Sequence, residues 1–146
     1  MQYIPLEDVR VTLGVEPVDV LKVEPALNSL SADFLLRDDT EIALRVNFDC
    51  PTIVRLLDDM PLSTEQHPSE LEGIVPYHFA YEVRGHPFLL GQSQVWRDQC
   101  RPTHYQFLTG GGCMDVLAPG QPKFVLVPLD KEGLARRNER ESDIDD

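Results

Sequence analysis

A chain of 146 residues, 42% of them apolar and 26% charged, can bury one core without the help of a metal or disulfide, and this composition argues against a disordered or fibrous protein. Its 13 basic and 25 acidic residues leave a formal charge of −12, a field that repels phosphate backbones and anionic lipid headgroups, so neither direct nucleic-acid binding nor membrane attachment is expected. No run of 18 apolar residues occurs and residues 1–14 (MQYIPLEDVRVTLG) lack a secretory pattern, while Cys50, Cys100 and Cys113 are sparse and without CxxC spacing; the expectation is a cytoplasmic chain with reduced thiols.

In chain order, Val9, Val11, Leu13 and Val15 alternate with polar or small residues and predict a strand over 8–15, and residues 18–23 predict another. The stretch after Pro25, ALNSLSADFLL, fits a turn of helix followed by a strand, and its period does not separate the two. A hairpin is clearer: residues 32–37, a turn at Asp38-Asp39-Thr40, then 41–49, where Ile42, Leu44, Val46 and Phe48 alternate without a fault. In 51–60, Ile53, Leu56, Leu57 and Met60 fall at i, i+3, i+4 and i+7 between two prolines, which predicts a helix of about ten residues packed on the sheet. Residues 61–73 are polar, with Ser63 three before Gln66 as a capping box, and read as a loop or a short helix.

The main meander follows. In 76–84 (PYHFAYEVR), Tyr77, Phe79, Tyr81 and Val83 share one expected apolar face. The chain turns at Gly85-His86-Pro87, runs on through Phe88-Leu89-Leu90, and resumes over 92–97. Residues 103–109, 113–118 and 123–127 complete the series, with Gly110-Gly111-Gly112 reversing the chain between the first two. The predicted fold is α+β and β-rich: an antiparallel curved sheet or meander of short strands with one or two packed helices. It forms a single compact domain over 1–129, followed by a charged tail over 130–146. That tail holds seven acids and four bases, so the body keeps 18 acids and nine bases and a net charge of −9.

Candidate chemistry depends on the glycine loop. With a three-residue loop Thr109 faces Cys113, and His104 lies on the face away from Cys113 and Asp115; with a Gly111-Gly112 loop the register moves by one and His104 joins them. Only the second arrangement assembles a Cys113, His104, Asp115 group of the kind that activates a nucleophile. The competing reading is a buried structural thiol. Cys100, His104, Cys113 and His78 contain the right atoms for zinc, but C-x3-H-x8-C matches no standard spacing, so no metal and no cofactor are expected. His67 and His86 each precede a proline and read as loop and turn residues. No GxSxG, Walker, GxGxxG or HExxH motif occurs.

Three functions follow from these residues. The first is a small, non-catalytic binding or accessory protein of bacterial type, which uses Tyr77, Phe79, Tyr81, Trp96, Tyr105 and Phe107 as an aromatic face for a partner or for a homodimer. The second is an acidic inhibitor or immunity protein that caps a basic, nuclease-like partner through Asp38, Asp39, Asp58, Asp59, Glu65, Glu70 and Glu72. The third is a small enzyme or ligand binder built on Cys113, His104 and Asp115.

Overall fold

The computed structural model describes residues 2–7, 17–36, 41–58, 72–75, 78–109 and 112–129, with the backbone alone for 17–21 and 58. The expected strand over 8–15, the Asp38-Asp39-Thr40 turn, the Ser63/Gln66 capping box and the tail over 130–146 lie outside these residues.

Among the described residues nine strands form two antiparallel sheets instead of one continuous meander. The first sheet comprises β1 (Gln2–Pro5), β5 (Ile53–Asp58), β6 (Ala80–Arg84), β7 (Thr103–Thr109) and β8 (Gly112–Ala118), in the order β1-β6-β7-β8-β5. The second comprises β2 (Pro17–Ala26), β3 (Ser29–Leu36), β4 (Ile42–Phe48) and β9 (Lys123–Pro128), in the order β2-β3-β4-β9. Two short helices, α1 (Pro87–Leu90) and α2 (Gln94–Cys100), connect β6 to β7.

The sheets pack face to face. From the second sheet come Leu30, Ala32, Phe34, Leu36, Leu44, Val46 and Phe48, and from the first Phe79, Ala80, Tyr105, Phe107, Met114, Val116 and Ala118. The alternation in β3 and β4 sends every second side chain inward, as period two demands. Phe34 meets Phe79 edge-on at a ring separation of 5.4 Å, and packs tilted against Phe107 at 5.8 Å, as Phe48 does against Tyr105 at 5.4 Å, separations within the range in which aromatic rings attract one another. On the outer face of β3 and β4, Asp33 and Arg45 pair across the strands with two hydrogen bonds of 2.8 and 3.0 Å.

Four expectations need correcting. The segment predicted as a helix over 51–60 contains β5, paired with β8 from Ile53↔Leu117 to Asp58↔Gly112. IVRLL is apolar at four positions of five although β5 is an edge strand with none of these residues fully buried and Leu56 exposed; a short, nearly continuous apolar run satisfies helical spacing as readily as a strand pattern. The reverse error falls on residues 88–90 and 92–97, expected to continue the meander, where the chain instead forms α1 and α2. His86 Nδ1 accepts from Phe88 N at 3.0 Å ahead of Pro87 at N1, and Ser93 Oγ accepts from Trp96 N at 3.1 Å, so each helix starts on a side-chain cap.

The third correction concerns residues 79–83. Ordered pairing begins only at Ala80; Phe79 and Ala80 both enter the core between the sheets, while Tyr81 and Val83 pack with Tyr3 on the opposite face. The expected common face of Phe79 and Tyr81 is therefore split, and Tyr77 lies outside the described residues. Fourth, 123–127 does not continue the β7–β8 meander: β9 crosses to the other sheet and pairs with β4. The segment around Pro25 is a hairpin, with a turn at Leu27-Asn28 joining β2 to β3 and no helical turn.

One glycine is required by close packing. Gly73 has φ +95°, and a Cβ there would lie 1.9 Å from the Tyr3 carbonyl oxygen, where β1 forms a parallel bridge between Gln2 and Glu72.

Candidate functional site

The outer face of the first sheet carries a buried polar cluster where an apolar layer would be usual. β7 and β8 pair with Thr109↔Gly112, Leu108↔Cys113, Gln106↔Asp115 and His104↔Leu117. This register is displaced by two residues from the Gly111-Gly112 loop considered above, and residues 110–111 lie outside the described set. A shift of two preserves which side chains share a face, so His104, Gln106, Cys113 and Asp115 all project to the same side. β5 adds Arg55 directly opposite Asp115.

Asp115 is the hub. Its Oδ1 accepts from His104 Nε2 at 2.6 Å and Gln106 Nε2 at 2.9 Å; its Oδ2 accepts from Arg55 Nε at 2.9 Å, with the Cys113 thiol 3.8 Å away. Burial by itself would raise this carboxyl. The hydrogen bond and charge interaction with His104, followed by the bonds from Gln106 and Arg55, outweigh that effect and hold it below the ordinary aspartate value. The carboxylate is thus ionised, and Nε2 is the nitrogen of His104 that carries the bonded proton.

The β6–α1 turn and α1 close the cluster. The His86 ring stands edge-on to His104 at 4.7 Å, Phe88 packs on His104 at 5.7 Å, and the Arg55 guanidinium lies 4.1 Å from the centre of the Phe88 ring. His104 Nδ1 is buried without a hydrogen-bond partner. Fractional exposures are 0% for Asp115, 1% for His104 and 3% for Cys113.

The structure therefore brings together the three residues singled out for thiol chemistry, but in a different order. The carboxylate sits between the imidazole and the thiol, whereas nucleophile activation places the imidazole between thiol and carboxylate. Arg55, Gln106 and His86 were missed. Gln106 was detectable in principle, since it alternates with His104 along one strand; Arg55 was hidden by the helical reading of its segment.

The other predicted residues are scattered. Cys100 is half-buried at the end of α2, and His78 packs edge-on against Tyr81 at 5.3 Å. Among the described residues no three His, Cys, Asp or Glu side chains are grouped to hold a metal. Of the acidic set, Glu72 is exposed beside β1 and Asp58 ends β5; Asp38, Asp39, Asp59, Glu65 and Glu70 lie outside the described residues. Phe79, Tyr81, Tyr105 and Phe107 are interior residues, so they form no exposed aromatic face; Trp96 is half-buried on α2.

A second feature is a cleft of about 290 Å³ at one end of the sandwich. Its floor is Glu82, Thr103 and Tyr105 on the inner face of β6 and β7, and its opposite wall is Phe124 of β9. Pro119, Gln121 and Pro122, in the segment that carries the chain from one sheet to the other, close one side, and Leu6 and Glu7 after β1 close another. Burial pushes the Tyr105 phenol above its ordinary value, opposed by a hydrogen bond with Thr103 and reinforced by the neighbouring Glu82 charge and by Cys50.

Comparison of the chain with protein-family models, with curated protein sequences and with solved structures returns no match. Among the described residues no helix is long and apolar enough to cross a membrane.

Proposed function

We propose that this chain is a non-catalytic binding domain whose partner is a basic protein. The observation that carries the reading is the saturation of Asp115: the imidazole, the amide, the guanidinium and the thiol all address one buried carboxylate. Groups arranged in this way fasten α1 and the β6–α1 turn to the sheet and leave no exposed nucleophile–base pair. The formal charge of −12 favours a basic partner by long-range attraction, and an inhibitor that caps a basic groove is the special case in which that partner is an enzyme. Function then resides on the surface.

The test is affinity capture from a host extract at low and high salt, followed by titration of the purified retained protein. A basic protein bound at low salt and released as screening grows is the expected outcome. Retention that ignores salt, or turnover of a thiol-reactive substrate that disappears in Cys113→Ser, would overturn the reading.

A further inference from the structure

The cleft at the end of the sandwich differs from the buried cluster in every respect that matters for binding. It opens to solvent, and its lining combines two carboxylates, Glu7 and Glu82, with the rings of Tyr105 and Phe124, the Thr103 hydroxyl and the Gln121 amide. Among the described residues no lysine, arginine or histidine lines it. Arg84 approaches this lining, its Nη2 3.8 Å from Glu82 Oε1 on a largely exposed side chain, a contact too loose to neutralise the carboxylate. Lys123, next to Phe124, is engaged instead with Asp49 at 3.1 Å.

The volume limits the occupant. About 290 Å³ lies at the lower edge of the range of roughly 300–1,000 Å³ that holds drug-sized ligands, which suits one long side chain and excludes a dinucleotide or other large cofactor. Aromatic and proline walls accept an aliphatic stem, while carboxylates at the floor and rim accept a cationic head.

We propose that this cleft receives a single arginine or lysine side chain of a basic polypeptide partner, with Glu82 and Glu7 pairing the cationic head and Tyr105, Phe124, Pro119 and Pro122 enclosing its stem. The proposal rests on the reading of the chain as a docking domain for a basic protein. It adds the anchor of that interface, a buried-stem contact of the kind that dominates binding energy. Position supports it: the floor is built on paired strands, so the carboxylate and the ring are held in fixed register by Glu82↔Tyr105.

The experiment is an amide NMR titration of the full chain with acetyl-Gly-Arg-Gly-amide, with its uncharged citrulline isostere, and with spermidine. Saturable shifts at Thr103, Tyr105 and Gln121 with the arginine peptide alone are expected. In Glu7→Gln/Glu82→Gln binding should fall at least about tenfold, as for loss of a partly desolvated charge pair, whereas Asp98→Asn, at an exposed acid on α2 that does not line the cleft, leaves it unchanged.

Equal binding of the citrulline peptide, shifts outside the cleft, or equal loss in Asp98→Asn would overturn the proposal. Spermidine binding in the cleft without peptide binding would overturn it by assigning the site to a free amine. If the double variant still binds the captured basic partner with unchanged affinity, this inference falls while the docking reading stands. If the peptide fills the cleft but no basic partner is captured, the docking reading falls alone.

Discussion

Replacing Asp115 by asparagine tests the central physical claim with a nearly isosteric change. The side chain keeps its shape but loses its charge, and its amide nitrogen is a donor placed among the donors from His104, Gln106 and Arg55. Breaking a buried charged network by removing one partner costs about 3–5 kcal/mol. Arg55 is 26% exposed and regains part of its hydration, so a loss near the lower end, about 3 kcal/mol, is expected. At about 3 °C per kcal/mol for a chain of this size, Tm falls by about 10 °C.

The pH dependence supplies a second readout. The folded carboxyl titrates below its unfolded value, so its contribution is fully present above the ordinary aspartate range and is lost as pH falls through the lower folded value. The stability gap between wild type and Asp115→Asn should therefore be constant from neutral pH down to about pH 5 and close on further acidification. Urea denaturation followed by circular dichroism at a series of pH values measures both quantities. A loss below about 1 kcal/mol, or a gap that does not narrow in acid, would refute the view that an ionised, fully bonded Asp115 holds this layer together.

Three further predictions follow from local geometry. Ser93→Ala removes the hydrogen bond that caps Trp96 N and should cost about 1 kcal/mol in urea denaturation. Gly73→Ala should cost about 2–3 kcal/mol, since alanine is strained at φ +95° and its Cβ collides with the Tyr3 backbone; a neutral substitution would mean that the β1 bridge is not formed in solution. In native alkylation followed by mass spectrometry, half-buried Cys50 and Cys100 should label before buried Cys113, and early labelling of Cys113 would revive thiol chemistry at this site.

The residues most legible in the sequence were those whose environment has one wet side. In β4, Ile42, Leu44, Val46 and Phe48 alternate with Ala43, Arg45 and Asn47, and period two located the strand and its inner face together. β7 and β8 were legible as strands although β8 is buried along its whole length, because turn signals at the glycine loop bound them, and Cys113, Asp115 and His104 were legible as a group whose fate depends on hairpin register. Helix caps were also written locally, at His86-Pro87 and at Ser93, although the strong expectation of a continuing meander obscured them.

What the sequence by itself determined is a β-rich, acidic body with short antiparallel strands, because alternation and turn residues act over a few positions and need no distant partner. Tertiary structure decided the rest. β5 became a strand because β8 offered it a ladder, a partner that no local period contains. β9 left the meander because its backbone groups are satisfied by β4, far away in sequence, and that crossover created the wall of the cleft. Arg55 and Asp115, 60 positions apart, meet only through the β5–β8 register. Long-range pairing selects among local preferences that are close in energy, so the face a charge occupies and the partner it finds are properties of the assembled sheets.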